Sequence, residues 1–166
     1  MRILVINPGA TSTKIAVFDG DKEAAKKTID HDAGELAGFD SVVAQKGYRL
    51  SLVEDALREL GYSPGDFDAV CSRGGLLRHI PSGTYRVTDR VIADVLDPPY
   101  GEHASNLGVL LAREIANEAD IPAFFVDPIS VDEMEPTARI SGFKGMERES
   151  FFHALNQKSM ARQAAR

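Results

Sequence analysis

Residues 1–19 constrain the fold more than any other stretch of the sequence. Ile3-Leu4-Val5-Ile6 and Ile15-Ala16-Val17-Phe18 are two β-rich apolar runs, and the chain between them is Asn7-Pro8-Gly9-Ala10-Thr11-Ser12-Thr13-Lys14. This pattern predicts a hairpin. Its tip would offer backbone amides, the hydroxyls of Thr11, Ser12 and Thr13, and the Lys14 ammonium, which together suit a phosphate group. An ordinary polar turn uses the same residue types. The loop is not of the Walker type, which needs glycine directly before the lysine and a helix directly after it; here Thr13 precedes Lys14 and a strand-like run follows. A helix N-terminus therefore cannot supply the anion-binding dipole at this point.

The chain has 166 residues, 43% hydrophobic and 27% charged, which suits one globular domain, or one domain and a fragment of another, rather than a disordered chain. The formal charge is -6, with no basic stripe, so neither nucleic acid nor an anionic membrane is an expected partner. No apolar run approaches the ~20 residues of a membrane span, and no signal-peptide organisation is seen, so a cytoplasmic location is expected. Cys71, the single cysteine, cannot form an internal disulfide; its apolar surroundings suggest a buried, inert thiol rather than a nucleophile.

Beyond the hairpin, Gly20-Asp21 makes a turn and Ala24 to Ile29 can add a third strand at the sheet edge. Ser51 to Leu60 carries Leu52, Val53, Ala56, Leu57 and Leu60 at helical spacing, and Gly61 suits the position just past its end. Asp68 to Ser72 is a short apolar strand that runs into Arg73-Gly74-Gly75. Helices are predicted over Asp89 to Leu96, stopped by Pro98-Pro99, and over about Ala104 to Ala119, with Leu107, Leu111 and Ile115 on one face. Ala123-Phe124-Phe125-Val126 reads as a buried strand delivering Asp127, and Arg148 to Arg166 as a helix that includes Phe151-Phe152-His153. The order β-β-β-α-β-α-α-β predicts an α/β fold, a mixed sheet flanked by helices. Ligands in such sheets collect at the carboxyl ends of strands, where Asn7, Arg73 and Asp127 all fall.

Each chemistry-bearing residue has a plain alternative. Arg73, between a strand and a Gly-Gly turn, can fork onto a carboxylate or phosphate or simply cap a turn. His103 can donate to a substrate oxygen or belong to an ordinary helix start with Ser105 or Asn106 near its cap. Asp127 is placed for a metal ion or a base, or else begins an Asp-Pro turn. His153 fits a core histidine as well as a ligand. The histidines show no metal-ligand spacing and there is no cysteine cluster, so zinc is not expected.

Several blocks taken in order are more specific than any one loop. They are Leu4 to Gly9 with Thr11 to Lys14, Arg73-Gly74-Gly75-Leu76-Leu77-Arg78, Gly101-Glu102-His103-Ala104-Ser105-Asn106-Leu107-Gly108, Phe125-Val126-Asp127-Pro128, Ala138 to Gly142, and Phe152-His153-Ala154-Leu155-Asn156-Gln157-Lys158. Together they span essentially the whole chain and resemble the amino-terminal part of the butyrate kinases, within the acetate kinase family of the actin, sugar kinase and Hsp70 superfamily. The resemblance implies a ribonuclease H-like fold, one half of a duplicated actin-like ATPase. It also implies reversible phosphoryl transfer, dependent on Mg2+, between ATP and butyrate or a similar acid, giving an acyl phosphate and ADP. By the same resemblance Asn7, Gly9, Thr11, Ser12, Thr13 and Lys14 hold the nucleotide phosphates, and Asn7 and Asp127 position magnesium. Arg73, Asp127 and His153 are the implied catalytic residues, while His103, Asn106, Gly74 and Gly75 are the implied substrate-site residues.

Two departures bear on that expectation. Ala10 stands where these kinases usually carry serine, and the duplicated second domain, with its adenosine pocket, second arginine and metal-associated glutamate, is absent from the sequence. Residues 1–140 are thus expected to form the amino-terminal domain and 141–166 the start of a second lobe. The expected partners are a carboxylate, a nucleotide, a carboxyl-terminal half or complementing chain, and further copies in a homo-oligomer. A non-catalytic module that binds acyl groups or phosphate is the alternative, and a sugar kinase half is a more distant one, opposed by the Gly101 to Gly108 block.

Overall fold

The computed structural model describes all 166 residues. Strands β1 (Arg2–Pro8), β2 (Ser12–Asp19) and β3 (Lys22–Asp30) form an antiparallel meander. Gly20 takes φ +60 in the tight turn between β2 and β3, a conformation that suits glycine. β4 (Ala69–Arg73) runs parallel to β1, and β6 (Ala123–Val126) runs parallel to β4. β5 (Thr84–Arg86) lies antiparallel on the edge beyond β6, giving the six-stranded order β3-β2-β1-β4-β6-β5.

Strand alternation decides which face is buried. Leu4, Val17 and Val70 stand in register on one face, as do Ile6, Ile15 and Phe125, and all are buried against α2 (Lys46–Glu59) and α4 (Asn106–Glu118). Each such side chain contributes ~1.5–3 kcal/mol of burial. α3 (Asp89–Leu96) packs beside α4, and the short helix α1 (Ala33–Ala37) follows β3. α5 (Ala154–Ala164) follows β6 after residues 127–153, a long connection that contains one short 3-10 turn at Pro136–Arg139. No helix is long and apolar enough to cross a membrane.

Two close approaches fix the strand ends that carry the candidate site. A Cβ on Gly108 would lie 2.7 Å from the Arg73 carbonyl oxygen, and one on Gly75 would lie 2.0 Å from Asn106 Oδ1. Glycine at these points lets the first turn of α4 rest directly on the end of β4.

The predicted elements are found, with differences that have physical causes. α2 starts at Lys46 rather than Ser51, because Arg49 is a buried position that breaks the apolar periodicity. Its end is as expected: Gly61 has φ +80, and the amides of Gly61 and Tyr62 donate to the carbonyls of Arg58 and Leu57 at 3.0 and 2.9 Å. The last helix covers Ala154–Ala164, so Phe151-Phe152-His153 lie before it, and His153 occupies its N-cap position without a side-chain capping bond. β5 and α1 were not legible: β5 has only three residues, and α1 is a single turn containing Gly34, made by the Asp32 carboxylate accepting from the amides of Gly34 and Glu35.

Candidate functional site

The carboxyl ends of β1, β4 and β6 open onto a two-lobed cleft. One lobe, of about 250 Å³, is lined by Asn7, Pro8, Gly9, Ser12, Lys14, Arg73, His103, Ser105 and His153. The other, about 400 Å³, shares Asn7 and Arg73 and continues along Asp127 to Leu155, Asn156 and Ser159 of α5. Residues widely separated in sequence meet here because three strands end at one level, as the strand-end reasoning required.

Asp127 organises the centre. It is buried, and its φ of +48 is unfavourable for a side-chain-bearing residue, the more so before Pro128. Such a conformation costs ~1–3 kcal/mol and persists only where its surroundings hold it. The holding contacts are explicit: Oδ1 accepts from the Leu155 amide at 2.9 Å, Oδ2 accepts from Arg73 Nη2 at 3.3 Å, and the carbonyl oxygen accepts from His153 Nδ1 at 2.7 Å. One carboxylate therefore ties the start of α5 to β4.

The same contacts set the donor state of the cleft. Arg73 spends one long bond on Asp127, so most of its five N–H donors stay available to an anion. His153 donates from Nδ1 to a carbonyl, which leaves Nε2 with its lone pair in the neutral ring. His103 is arranged in the opposite sense. Its Nδ1 accepts from the Ser105 amide at 3.2 Å, so the neutral ring carries its proton on Nε2. Partial desolvation of the ring at the cleft, and then the charges of His153 and Arg73, push the His103 pKa below the ordinary histidine value, which favours this neutral donor.

The loop between β1 and β2 divides its residues between two sides. Gly9, Ser12 and Lys14 line the cleft, whereas Thr13 is fully buried with its hydroxyl on His31 Nε2 at 2.8 Å and Arg49 Nη1 at 3.2 Å. Thr11 is exposed, and its carbonyl accepts from the His31 amide at 2.9 Å. Gly9 donates its own amide to the Ser12 carbonyl at 2.7 Å, so that donor is used within the loop. Asn106, Gly74 and Gly75 are buried behind the cleft: Asn106 Oδ1 accepts from the Leu76 amide at 2.7 Å, and a Cβ on Gly74 would lie 2.7 Å from Pro128 Cβ. Packing is the work these three visibly do. Sequence reading places Ser105 only at the helix start, whereas its amide sets the His103 tautomer; Arg49 was missed, its only signal being a charged residue in an otherwise helical apolar pattern.

No protein-family model matches the chain. Solved structures do. An acetate kinase from Porphyromonas gingivalis superposes with TM-score 0.62 at 17% identity, over 99% of this chain and 48% of that one. A propionate kinase from Francisella tularensis subsp. tularensis SCHU S4 gives 0.61 at 15%, again over 99% and 48%. An acetate kinase from Entamoeba histolytica gives 0.55 at 12%, over 96% and 45%. The fold is ribonuclease H-like. The chain spans about half the length of these structures.

Proposed function

We propose that this chain is the amino-terminal portion of a short-chain carboxylate kinase of the acetate kinase family, of the butyrate type, transferring a phosphoryl group reversibly from ATP to the acid. The observation that carries the reading is the convergence of Arg73, His103, His153 and Asp127 with the β1–β2 loop on one cleft, in a fold shared with acetate and propionate kinases. Phosphoryl transfer asks for positioning and charge neutralisation more than for covalent help, and this cleft is built of such parts.

In this reading the carboxylate oxygen of the acid attacks the γ-phosphorus and ADP departs. The Arg73 guanidinium faces the charge that spreads over the transferring oxygens, and His103 donates from Nε2. His153, anchored through Nδ1, presents Nε2 and gains a second donor there when protonated. Asp127 holds Arg73 and His153 in place. A magnesium ion fits the donors present, since Mg2+ is commonly bound by one or two carboxylates together with substrate phosphates; Asp127 and Asn7 would hold it, and it would neutralise phosphate charge.

The test is a hydroxamate assay for acyl phosphate from butyrate, ATP and magnesium, run on the chain alone and on the chain joined to or mixed with a carboxyl-terminal half from the same reading frame or a neighbouring one. Acyl phosphate from the completed protein supports the reading. None, with phosphate still bound, would favour a non-catalytic binding module instead.

A further inference from the structure

The β1–β2 loop is gripped from behind by Arg49 of α2, which is 1% exposed. Its five N–H donors make five hydrogen bonds: Nε and Nη2 to Gln45 Oε1 at 3.0 and 2.9 Å, Nη1 to the Gly9 carbonyl at 2.8 Å and to Thr13 Oγ1 at 3.2 Å, and Nη2 to the Ala10 carbonyl at 3.0 Å. None of these acceptors is a carboxylate. A buried cation balanced only by neutral oxygens is costly, and its location directly behind this loop suggests what the charge serves.

Peptide geometry supplies the next step. In a trans peptide the carbonyl of one residue and the N–H of the next point in opposite directions, and no peptide here is cis. With the Gly9 and Ala10 carbonyls drawn onto Arg49, the N–H groups of Ala10 and Thr11 must point away from α2. Neither amide donates to any backbone or side-chain acceptor in the protein. The same loop borders the cleft on both sides of these two amides: Gly9 before them and Ser12 and Lys14 after them line it, while Thr13 turns its hydroxyl back onto Arg49.

We propose that Arg49 is the positioning residue of the β1–β2 loop, its guanidinium holding the Gly9 and Ala10 carbonyls so that the Ala10 and Thr11 amides form a cradle for a phosphate group. Successive amides turned to one side make an anion-binding concavity, and the cation behind them adds long-range attraction without touching the ligand. This rests on the reading of the loop as a phosphate site. It also accounts for a loop that retains its amide donors while carrying Ala10 in place of a hydroxyl.

The test uses the 15N-labelled chain with Arg49→Gln, which removes the charge and the fork, and Arg49→Lys, which keeps the charge but cannot bridge both carbonyls in the same geometry. Order of the Ala10 and Thr11 amides is measured by 15N relaxation without ligand, and binding by titration with inorganic phosphate. In the native chain both amides are expected to be ordered and to shift with phosphate. In R49Q they should lose order and phosphate should bind at least tenfold more weakly, with R49K between the two. The amides of Val53 and Leu57 on the same helix report whether the fold is intact. If R49Q does not fold, R49K decides the matter by its loop order and affinity. Unchanged loop order and affinity in a folded variant overturn the proposal. Amides that are ordered in the native chain and loosen in the variants, with no phosphate shift in any protein, would uphold Arg49's hold on the loop and refute the phosphate reading.

Discussion

Two glycine-to-alanine changes, identical in chemistry, should have opposite signs. At Gly75 an added Cβ would lie 2.0 Å from Asn106 Oδ1, 2.5 Å from its nitrogen and 2.7 Å from its Cα, where ordinary contact begins at 3.4 Å. Two of these are backbone atoms at the first turn of α4, so a side-chain rotation cannot relieve the clash, and the helix start or the loop must retreat by most of an ångström. Overpacking of this kind costs ~1–3 kcal/mol. Losing the Leu76 amide's bond to Asn106 Oδ1 leaves a buried group unpaired, for a further ~1–3 kcal/mol. Gly75→Ala should therefore destabilise by about 2–6 kcal/mol. Gly47, in the first turn of α2 and exposed, has nothing within 4 Å of a built Cβ. Alanine there should stabilise by ~0.5–1 kcal/mol through reduced backbone entropy in the unfolded chain. Urea unfolding followed by circular dichroism measures both. With slopes of ~1–3 kcal/mol per molar, the Gly75→Ala midpoint should fall by roughly 1 M or more and the Gly47→Ala midpoint should rise by a few tenths. Equal midpoints for G75A and the native chain would refute the close approach of α4 to β4, and with it the account of how the strand ends are held.

Three further outcomes follow from the site. Asp127→Asn keeps an acceptor for the Leu155 amide but turns an NH2 or loses charge toward Arg73, and should cost ~1–3 kcal/mol in urea unfolding with faster hydrogen exchange at Leu155. Arg73→Ala in the completed protein should lower kcat in the hydroxamate assay by 10²–10³, the size of one lost oxyanion donor, and unchanged turnover would remove Arg73 from the chemistry. His31 is buried, and burial followed by the Arg49 charge lowers its pKa, so the unfolded chain takes up that proton first as acid is added. Its stabilising share is present above about pH 6.5 and is lost as pH falls toward its lowered native pKa, by ~1.4 kcal/mol for each unit of lowering; His31→Gln should flatten that part of the stability profile.

Sequence patterns made the fold legible wherever alternation or helical spacing ran for several residues. The β1–β2 hairpin, α3, α4 and β6 are legible on that basis, and the strand-end rule places Asn7, Arg73 and Asp127 at one level. β5 escaped because three residues carry no period, and α2 lost its first turn because a buried arginine reads as surface. Which of the candidate residues face the cleft was less legible. Thr13 and Ser12 look alike in sequence, and only the register of β2 sends one hydroxyl to Arg49 and leaves the other on the cleft. Asn106 and the Gly74-Gly75 pair stand beside the chemistry in sequence, and in the fold they pack together just behind the cleft at the end of β4.

The common cause is that side-chain identity determines what a residue can donate, while the direction of donation comes from groups that sequence motifs do not record. The histidines make this concrete. His103 and His153 are the same residue type on the same cleft, but an amide aimed at Nδ1 in one and a carbonyl accepting from Nδ1 in the other give their neutral rings opposite tautomers. Exchanging those backbone partners would exchange donor for acceptor without altering either histidine. The β1–β2 loop obeys the same logic on the main chain: its forward-facing amides follow from where Gly9 and Ala10 send their carbonyls, which is decided on α2, some forty residues away in sequence.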